Sequence, residues 1–191
     1  MRVRVPPPAF SLAMDDEYLD LVDDTDQIIG RALRAEVHRQ GLHNFRGVSA
    51  FVRNSNGLLL VLRRHHSKDI LPGSLDTSVT GHVRSGETYE KAFRREVAEE
   101  LNLSLETIPW RILGDLWPHR HGNYSFLRCF EVTYNETPPY NRDDFTEHAW
   151  LTPAQLRERL ERGEGALSAV SVMLRDSMER NHKVATTYSH H

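Results

Sequence analysis

Clustered acidic residues are the first candidates for chemistry in this chain. Glu96, Glu99 and Glu100 stand three and one residues apart, so in a helix their carboxylates lie on one side. Like charges at these spacings weaken an isolated helix by about 0.2–0.5 kcal/mol per pair. Clustered carboxylate oxygens bind hard divalent cations, and we therefore expect Mg²⁺ or Mn²⁺ here. The alternative is a solvated acidic face balanced by the neighbouring Lys91, Arg94 and Arg95.

The residues around these glutamates predict the helix that would carry them. Thr88 can cap its first turn, and Asn102 tolerates the left-handed conformation that ends many helices. Between them, an apolar residue recurs every fourth position, at Tyr89, Phe93, Val97 and Leu101. That period is typical of an amphipathic helix with one buried stripe, so the glutamates should lie beside a packed face.

Residues 81–103 resemble the Nudix box, a glycine, a glutamate and an Arg-Glu-x-x-Glu-Glu run at fixed spacing. The matching positions are Gly81, Glu87, Arg95, Glu96, Val97, Glu99, Glu100 and Leu103. Asn102 stands where the family has glycine, and this departure changes little because asparagine is the next best residue in the left-handed conformation. The resemblance implies a Nudix hydrolase, an enzyme that cleaves a pyrophosphate bond.

The resemblance also implies roles for individual residues. By analogy with the family, Glu96, Glu99 and Glu100 are the metal ligands, and the backbone carbonyl of Gly81 is a further candidate. Arg95 belongs to the catalytic set. It is expected to form an ion pair with the Glu87 carboxylate that holds the loop against the helix and orients rather than reacts.

Two further groups are candidates for the site. Arg63, Arg64 and Lys68 follow an apolar run, and we expect one of them to contact substrate phosphates while the others are solvated. Glu147 is a candidate for an additional metal ligand or the general base. An exposed loop acid is the alternative for Glu147.

The flanking sequence resembles a second enzyme of this fold, isopentenyl diphosphate isomerase. The segments LVDDTDQIIGRAL, LHNFRGVSAF and LPGSLDTSVTGHV follow that enzyme's order of landmarks, and His43 and His82 match its metal-binding histidines. Thr80, however, stands where the isomerase has its cysteine, and 124–130 lacks the two glutamates of the isomerase. The hydrolase is therefore favoured, and the flanking sequence implies a subgroup in which some bacterial hydrolases act on nucleoside di- and triphosphates. A non-catalytic nucleotide-binding module is the third alternative, and the intact set of glutamates argues against it.

Composition limits the remaining classes. A chain of 191 residues suits one buried domain, and a net charge of −3 offers no basic field to nucleic acid or membrane. No apolar run is long enough to span a bilayer. The lone Cys129 excludes an internal disulfide, fits a buried thiol and indicates the cytoplasm. The expected partner is a small diphosphate-containing molecule.

The pattern predicts an α/β fold, with a mixed β-sheet between helices. Strands are expected at 18–22, 27–32, 47–52, 58–62, 75–79, 110–116, 124–134 and 148–151. Besides the box helix, helices are expected at 152–162 and 166–180. The segment 33–42 is expected to be a connection, with a helix as one option, and 118–122 is expected to be a polar loop. The expected organisation is a flexible extension (1–15), a hydrolase domain (16–182) and a polar tail (183–191). The resemblance implies an α/β/α sandwich, and the N-terminal hairpin could pair with a second subunit in a homodimer.

Overall fold

The computed structural model describes residues 17–68 and 71–165. The expected N-terminal extension, the helix at 166–180 and the polar tail lie outside the described residues. The described strands are β1 (Tyr18–Val22), β2 (Ile28–Leu33), β3 (Arg46–Arg53), β4 (Leu59–Arg64), β5 (Leu75–Asp76), β6 (Val79–His82), β7 (Trp110–Leu116), β8 (Phe126–Thr133) and β9 (Phe145–Leu151). The described helices are α1 (Arg34–Arg39), α2 (Tyr89–Leu101), α3 (Pro118–His121) and α4 (Pro153–Glu161).

Strand β3 is the centre of the main sheet. It pairs with β6 in antiparallel fashion and with β8 in parallel, and β8 in turn pairs with β7 in antiparallel fashion. Strand β4 lies between β5 and β9 and meets β3 at the hairpin, where Arg53 faces Leu59. The sheet is therefore mixed, as predicted. Strands β1 and β2 form a separate antiparallel hairpin.

The two faces of this sheet are covered by different helices. Alternate residues of β3 point to opposite faces, because side chains alternate along a strand. One core contains Val48, Ala50 and Val52 of β3 with Phe93, Val97 and Leu101 of α2. The other contains Phe51 of β3, Leu59 and Val61 of β4 and Leu156 of α4. This arrangement confirms the predicted mixed sheet between helices.

Helix α2 begins and ends where the sequence indicates. The Thr88 hydroxyl accepts a hydrogen bond from the backbone N–H of Lys91 at 3.2 Å. At the other end Asn102 has φ 52° and ψ 36°; its N–H bonds back to the carbonyl oxygen of Ala98, and the N–H of Leu103 bonds back to the carbonyl oxygen of Val97. The left-handed conformation is therefore taken by the residue expected to tolerate it.

The predicted strand at 75–79 is wrong as one element. Strand β5 pairs with β4, whereas β6 pairs with β3, so the chain passes from one strand to the next at Thr77 and Ser78. The buried Ser78 hydroxyl donates to the carbonyl oxygen of Leu60 at 2.6 Å and accepts from the N–H of Val52 at 2.8 Å. A serine thus bridges the place where β3 and β4 separate, which an alternating pattern cannot reveal.

Three further boundaries differ from the expectation. The polar loop at 118–122 contains helix α3, which starts at a proline and ends at Gly122 with φ 63°. The connecting segment at 33–42 is helical only in part, because Leu33 belongs to β2 and α1 ends at Arg39. The last strand begins at Phe145 rather than at 148, so Glu147 lies within β9 rather than before it.

Candidate active site

Arg95 is the centre of the ionic contacts on α2. Its Nε and Nη2 atoms donate to the two carboxylate oxygens of Glu87, at 2.9 and 3.0 Å. Its Nη1 donates to Glu96 at 2.7 Å and to Glu99 at 3.2 Å, and Nη2 also donates to the carbonyl oxygen of His82 at 2.9 Å. The expected ion pair between Glu87 and Arg95 is present. The same guanidinium also neutralises Glu96 and Glu99, two of the expected metal ligands, as the alternative of an acidic face balanced by Arg95 would require.

Gly81 packs closely against the Glu96 side chain. An ideal Cβ built on Gly81 would lie 2.1 Å from the Glu96 carboxyl carbon, a distance that real side chains do not reach. Any other residue at this position would displace the glutamate. Gly81 lies in β6 and Glu96 lies in α2, so the strand and the helix are in close contact at this point.

The carboxylates of α2 stand in a surrounding that disfavours negative charge. Burial raises the pKa of Glu96 to about 7, even though Arg95 beside it lowers the pKa, and Glu99 adds to the rise. Burial likewise raises the pKa of Glu100 well above the usual range, with a further rise from Glu96. The backbone N–H of Thr80 donates to the Glu100 carboxylate at 3.0 Å and partly offsets this. The Glu99 side chain, in contrast, is 49% exposed.

The expected phosphate-binding residues are all engaged with carboxylates. Arg63 donates to Glu147 at 3.1 Å, and Arg64 donates to Asp76 at 2.8 Å. The Glu147 side chain is 70% exposed and faces the arginine across the β4–β9 pair, so it lies as an exposed acid of a strand.

Two aspartates link the basic residues to the acidic helix. Lys68 forms an ion pair with Asp144, and Asp76 holds Arg64. Both aspartates lie near enough to Glu100 to raise its pKa. No sequence pattern indicates these two aspartates, because the loop before β9 and the end of β5 approach Glu100 only in the folded chain.

The donor set fits a hard divalent cation. Glu96, Glu99, Glu100 and the carbonyl of Gly81 offer only oxygen atoms, the ligands that Mg²⁺ and Mn²⁺ prefer. Two of these carboxylates are disfavoured as anions by burial, which a cation would offset. Within residues 17–68 and 71–165, no three acidic, histidine or cysteine side chains are already arranged as a metal cage. Arg95 lies between Glu96 and Glu99 instead.

A family model described as the NUDIX domain matches residues 43–170 of this chain. The chain belongs to the Nudix family. It is 46% identical over 157 residues to an uncharacterized Nudix hydrolase of Nostoc sp., covering 82% of this chain and 93% of that protein. A crystal structure from Deinococcus radiodurans is 41% identical, covers 83% of this chain and 98% of its own, and superimposes with a TM-score of 0.78. The Nudix family acts on phosphorus-containing acid anhydrides, and this chain is a hydrolase of that class.

An isomerase is also among the relatives. This Nudix chain is 31% identical over 144 residues to isopentenyl-diphosphate Delta-isomerase 2 of Photorhabdus laumondii, covering 74% of this chain and 81% of that protein. The resemblance of the flanking sequence to that enzyme is therefore confirmed.

The histidines that match the isomerase pattern contact other protein groups. The Nε2 atoms of His82 and His38 lie 3.2 Å apart, and the His82 ring stacks on Phe45. Burial lowers the pKa of His82 to about 3, helped by nearby positive charge, so its ring is neutral. His43 bonds through Nδ1 to the carbonyl oxygen of Tyr124 at 2.8 Å. In this Nudix protein the two histidines thus support the end of β3.

Two remaining features are the length of the helices and the state of the cysteine. No helix in the described ranges is long and apolar enough to cross a membrane. Cys129 is a free thiol, 1% exposed, and burial raises its pKa, so the expected buried thiol is confirmed.

Proposed function

We propose that this Nudix hydrolase uses Mg²⁺, or Mn²⁺, to cleave a pyrophosphate bond in a nucleoside diphosphate derivative. Nucleoside di- and triphosphates are the expected substrates, and the cytoplasm is the expected location. The observation that carries the proposal is the packing of Glu96 and Glu100 against the sheet, where burial raises the pKa of both carboxyl groups. Carboxylates in such a place favour the binding of a cation.

The glutamates of α2 and Arg95 have different roles in this proposal. Glu96, Glu99 and Glu100, with the Gly81 carbonyl, would hold the ion. A bound divalent ion supplies charge for the phosphate oxygens and lowers the pKa of a bound water. Arg95 orients Glu96 and Glu99 through its bonds at 2.7 and 3.2 Å.

The basic residues at the end of β4 and just after it would hold the substrate phosphates. Arg64 and Lys68 are the better placed candidates, because their partners Asp76 and Asp144 lie near Glu100. Arginine and lysine bind phosphate oxygens through charge-assisted hydrogen bonds. Since each is paired with a carboxylate, phosphate binding would exchange one anionic partner for another. Arg63, which contacts the exposed Glu147, remains a candidate farther from α2.

Isomerisation is the second candidate, and its support is the sequence identity to the isomerase. Thr80 disfavours it, because a threonine hydroxyl at the position of the catalytic cysteine cannot form a thiolate. In β8, Glu131 is buried and bonded to Arg53 at 2.7 Å and to Arg111 at 2.9 Å. That carboxylate is therefore already committed to a structural contact.

A phosphate-release screen tests the proposal. The purified protein is assayed with Mg²⁺ against nucleoside diphosphates, nucleoside triphosphates, sugar nucleotides and dinucleoside polyphosphates, with isopentenyl diphosphate assayed separately for isomerisation. We expect turnover of the di- and triphosphates and none without a divalent ion. Turnover of sugar nucleotides alone would contradict the substrate class, and formation of dimethylallyl diphosphate above the buffer control would favour the isomerase.

The homodimer through the β1–β2 hairpin stays a prediction.

A further inference from the structure

Asp20 is a buried carboxylate outside the residues 43–170 that match the family. It lies on β1 and is 6% exposed. Its Oδ1 accepts a hydrogen bond from the Ser85 hydroxyl at 2.6 Å, and its Oδ2 accepts one from the N–H of Gly86 at 3.0 Å. Because a buried charge without partners is costly, both carboxylate oxygens are committed to the segment just before α2.

That segment is a tight turn. The carbonyl oxygen of Arg84 accepts from the N–H of Glu87 at 2.9 Å, and Gly86 has φ 81° at the third position, as a type II turn requires. The Gly86 N–H takes no part in the bond that closes the turn, and Asp20 accepts it. The N–H of Ser85 also donates to the carbonyl oxygen of Tyr18 at 2.7 Å. Strand β1 therefore fixes the turn through both backbone and side chain.

The turn in turn places Glu87. One oxygen of the Glu87 carboxylate accepts from the backbone N–H of Arg84 at 3.0 Å, and both oxygens accept from Arg95. Arg95 then holds Glu96 and Glu99. An unbroken series of hydrogen bonds thus leads from the hairpin to two carboxylates of α2.

The hairpin holds the helix at a second point. Asp26, in the turn between β1 and β2, accepts from the Tyr89 hydroxyl at 3.1 and 3.2 Å. Arg46 of β3 donates to the same carboxylate at 2.6 Å. Since Tyr89 is the first residue of α2, the hairpin fixes both the turn before the helix and the start of the helix itself.

We propose that Asp20 is a positioning residue for the divalent-metal site of α2. Its two hydrogen bonds fix the turn at 84–87, the turn fixes Glu87, and Glu87 sets the direction of the Arg95 guanidinium between Glu96 and Glu99. The N-terminal hairpin is then part of the active-site support, although it lies outside the matched family domain. This inference rests on the proposed metal-dependent function.

The test measures Mn²⁺ binding without substrate. Free Mn²⁺ is followed by electron paramagnetic resonance during titration of the full chain, its Asp20→Asn variant and a matched Asp24→Asn control. Asp24 is an exposed residue of the same hairpin, so its variant carries the same change in charge. Asp20→Asn should weaken Mn²⁺ binding by about tenfold, the lower end for residues that orient metal ligands. Asp24→Asn should bind as the parent does.

Hydrolysis and melting temperature complete the test. In Asp20→Asn, kcat should fall and the Mg²⁺ concentration for half-maximal rate should rise at a temperature well below melting, with KM for the nucleotide changed less. Parent-like Mn²⁺ binding with only a lower melting temperature would overturn the inference and leave Asp20 a stabilising residue. If Asp20→Asn does not fold, Ser85→Ala removes one donor alone. It should show a smaller loss of Mn²⁺ affinity, and an affinity equal to the parent would overturn the inference as well. A parent chain that binds no Mn²⁺ would contradict the proposed function instead.

Discussion

The glutamates of α2 and the basic residues Arg63, Arg64 and Lys68 carry opposite charges, and they differ in how far the rest of the chain neutralises them. Arg63 and Arg64 end β4 and Lys68 follows that strand, and each of the three contacts a carboxylate from another part of the chain. On the helix, one guanidinium is shared by Glu87, Glu96 and Glu99. The acidic side, which comprises the carboxylates around Arg95, therefore has negative charge left for an additional cation. The basic side, which comprises Arg63, Arg64 and Lys68, must release a carboxylate before it binds an anion.

Replacing the shared guanidinium should have the largest effect. Arg95→Ala leaves the partly buried Glu87 and Glu96 carboxylates without their cation, which costs about 3 kcal/mol for a buried pair. The hydrolysis rate measured with Mg²⁺ should fall. The melting temperature measured in EDTA should fall as well. Arg162→Ala is the control, since Arg162 pairs with the exposed Glu158. Equal loss of stability in the two variants would show that Arg95 is no more than a surface charge.

Removing one carboxylate should reduce the rate and spare the stability. Glu99→Gln and Glu100→Gln keep the shape of the side chain and remove an anionic oxygen, so kcat should fall on the order of a hundredfold, as for other groups that stabilise transition-state charge. The metal-free melting temperature should stay equal or rise, because like-charge repulsion is relieved. Glu90→Gln is the exposed control. Full activity, or melting well below the parent, would make these carboxylates structural.

The acidic side should also make the metal-free protein sensitive to pH. The pKa of Glu96 is about 7 in the folded protein, above its ordinary value of 4.5, so the folded state holds this proton more tightly than the unfolded state. The stability that Glu96 contributes is present below pH 4.5 and is lost as pH rises to about 7. The free energy of unfolding is measured in EDTA at pH 5 and at pH 8, and its fall between the two should be larger for the parent than for Glu96→Gln. An equal fall in the two proteins would argue against a buried Glu96 with a raised pKa.

The basic side should give the smallest effect. Lys68→Ala should raise KM for the nucleotide by about fivefold with kcat nearly unchanged, the result expected when a binding contact of about 1 kcal/mol is lost. Arg162→Ala is the control, because Arg162 pairs with the exposed Glu158 after α4. An unchanged KM in Lys68→Ala would remove this residue from the phosphate contacts.

The same contrast separates what the sequence could predict from what it could not. Helix α2 was predictable because its cap, its apolar stripe and its C-terminal asparagine are local signals, and the Glu87–Arg95 pair was implied by the resemblance to the Nudix box. Asp20, Asp76 and Asp144 were missed, because each acts on residues distant in the chain, and the Asp20–Ser85 bond joins positions 65 residues apart. The break between β5 and β6 was missed for the same reason, since it depends on which strand each half pairs with.

The hydrogen bonds between the hairpin and the turn at 84–87 also bear on the order of folding. During synthesis the hairpin emerges well before the turn that Asp20 binds, so these bonds cannot form until the turn has been synthesised. The parallel pairing of β3 with β8 brings together segments still farther apart, from Arg46 with Phe126 onward. Contacts of such long range form slowly, because chain closure must precede them. Arrangement of the active-site residues is therefore a late event, and a partly folded chain that already contains helix α2 would still lack an ordered site.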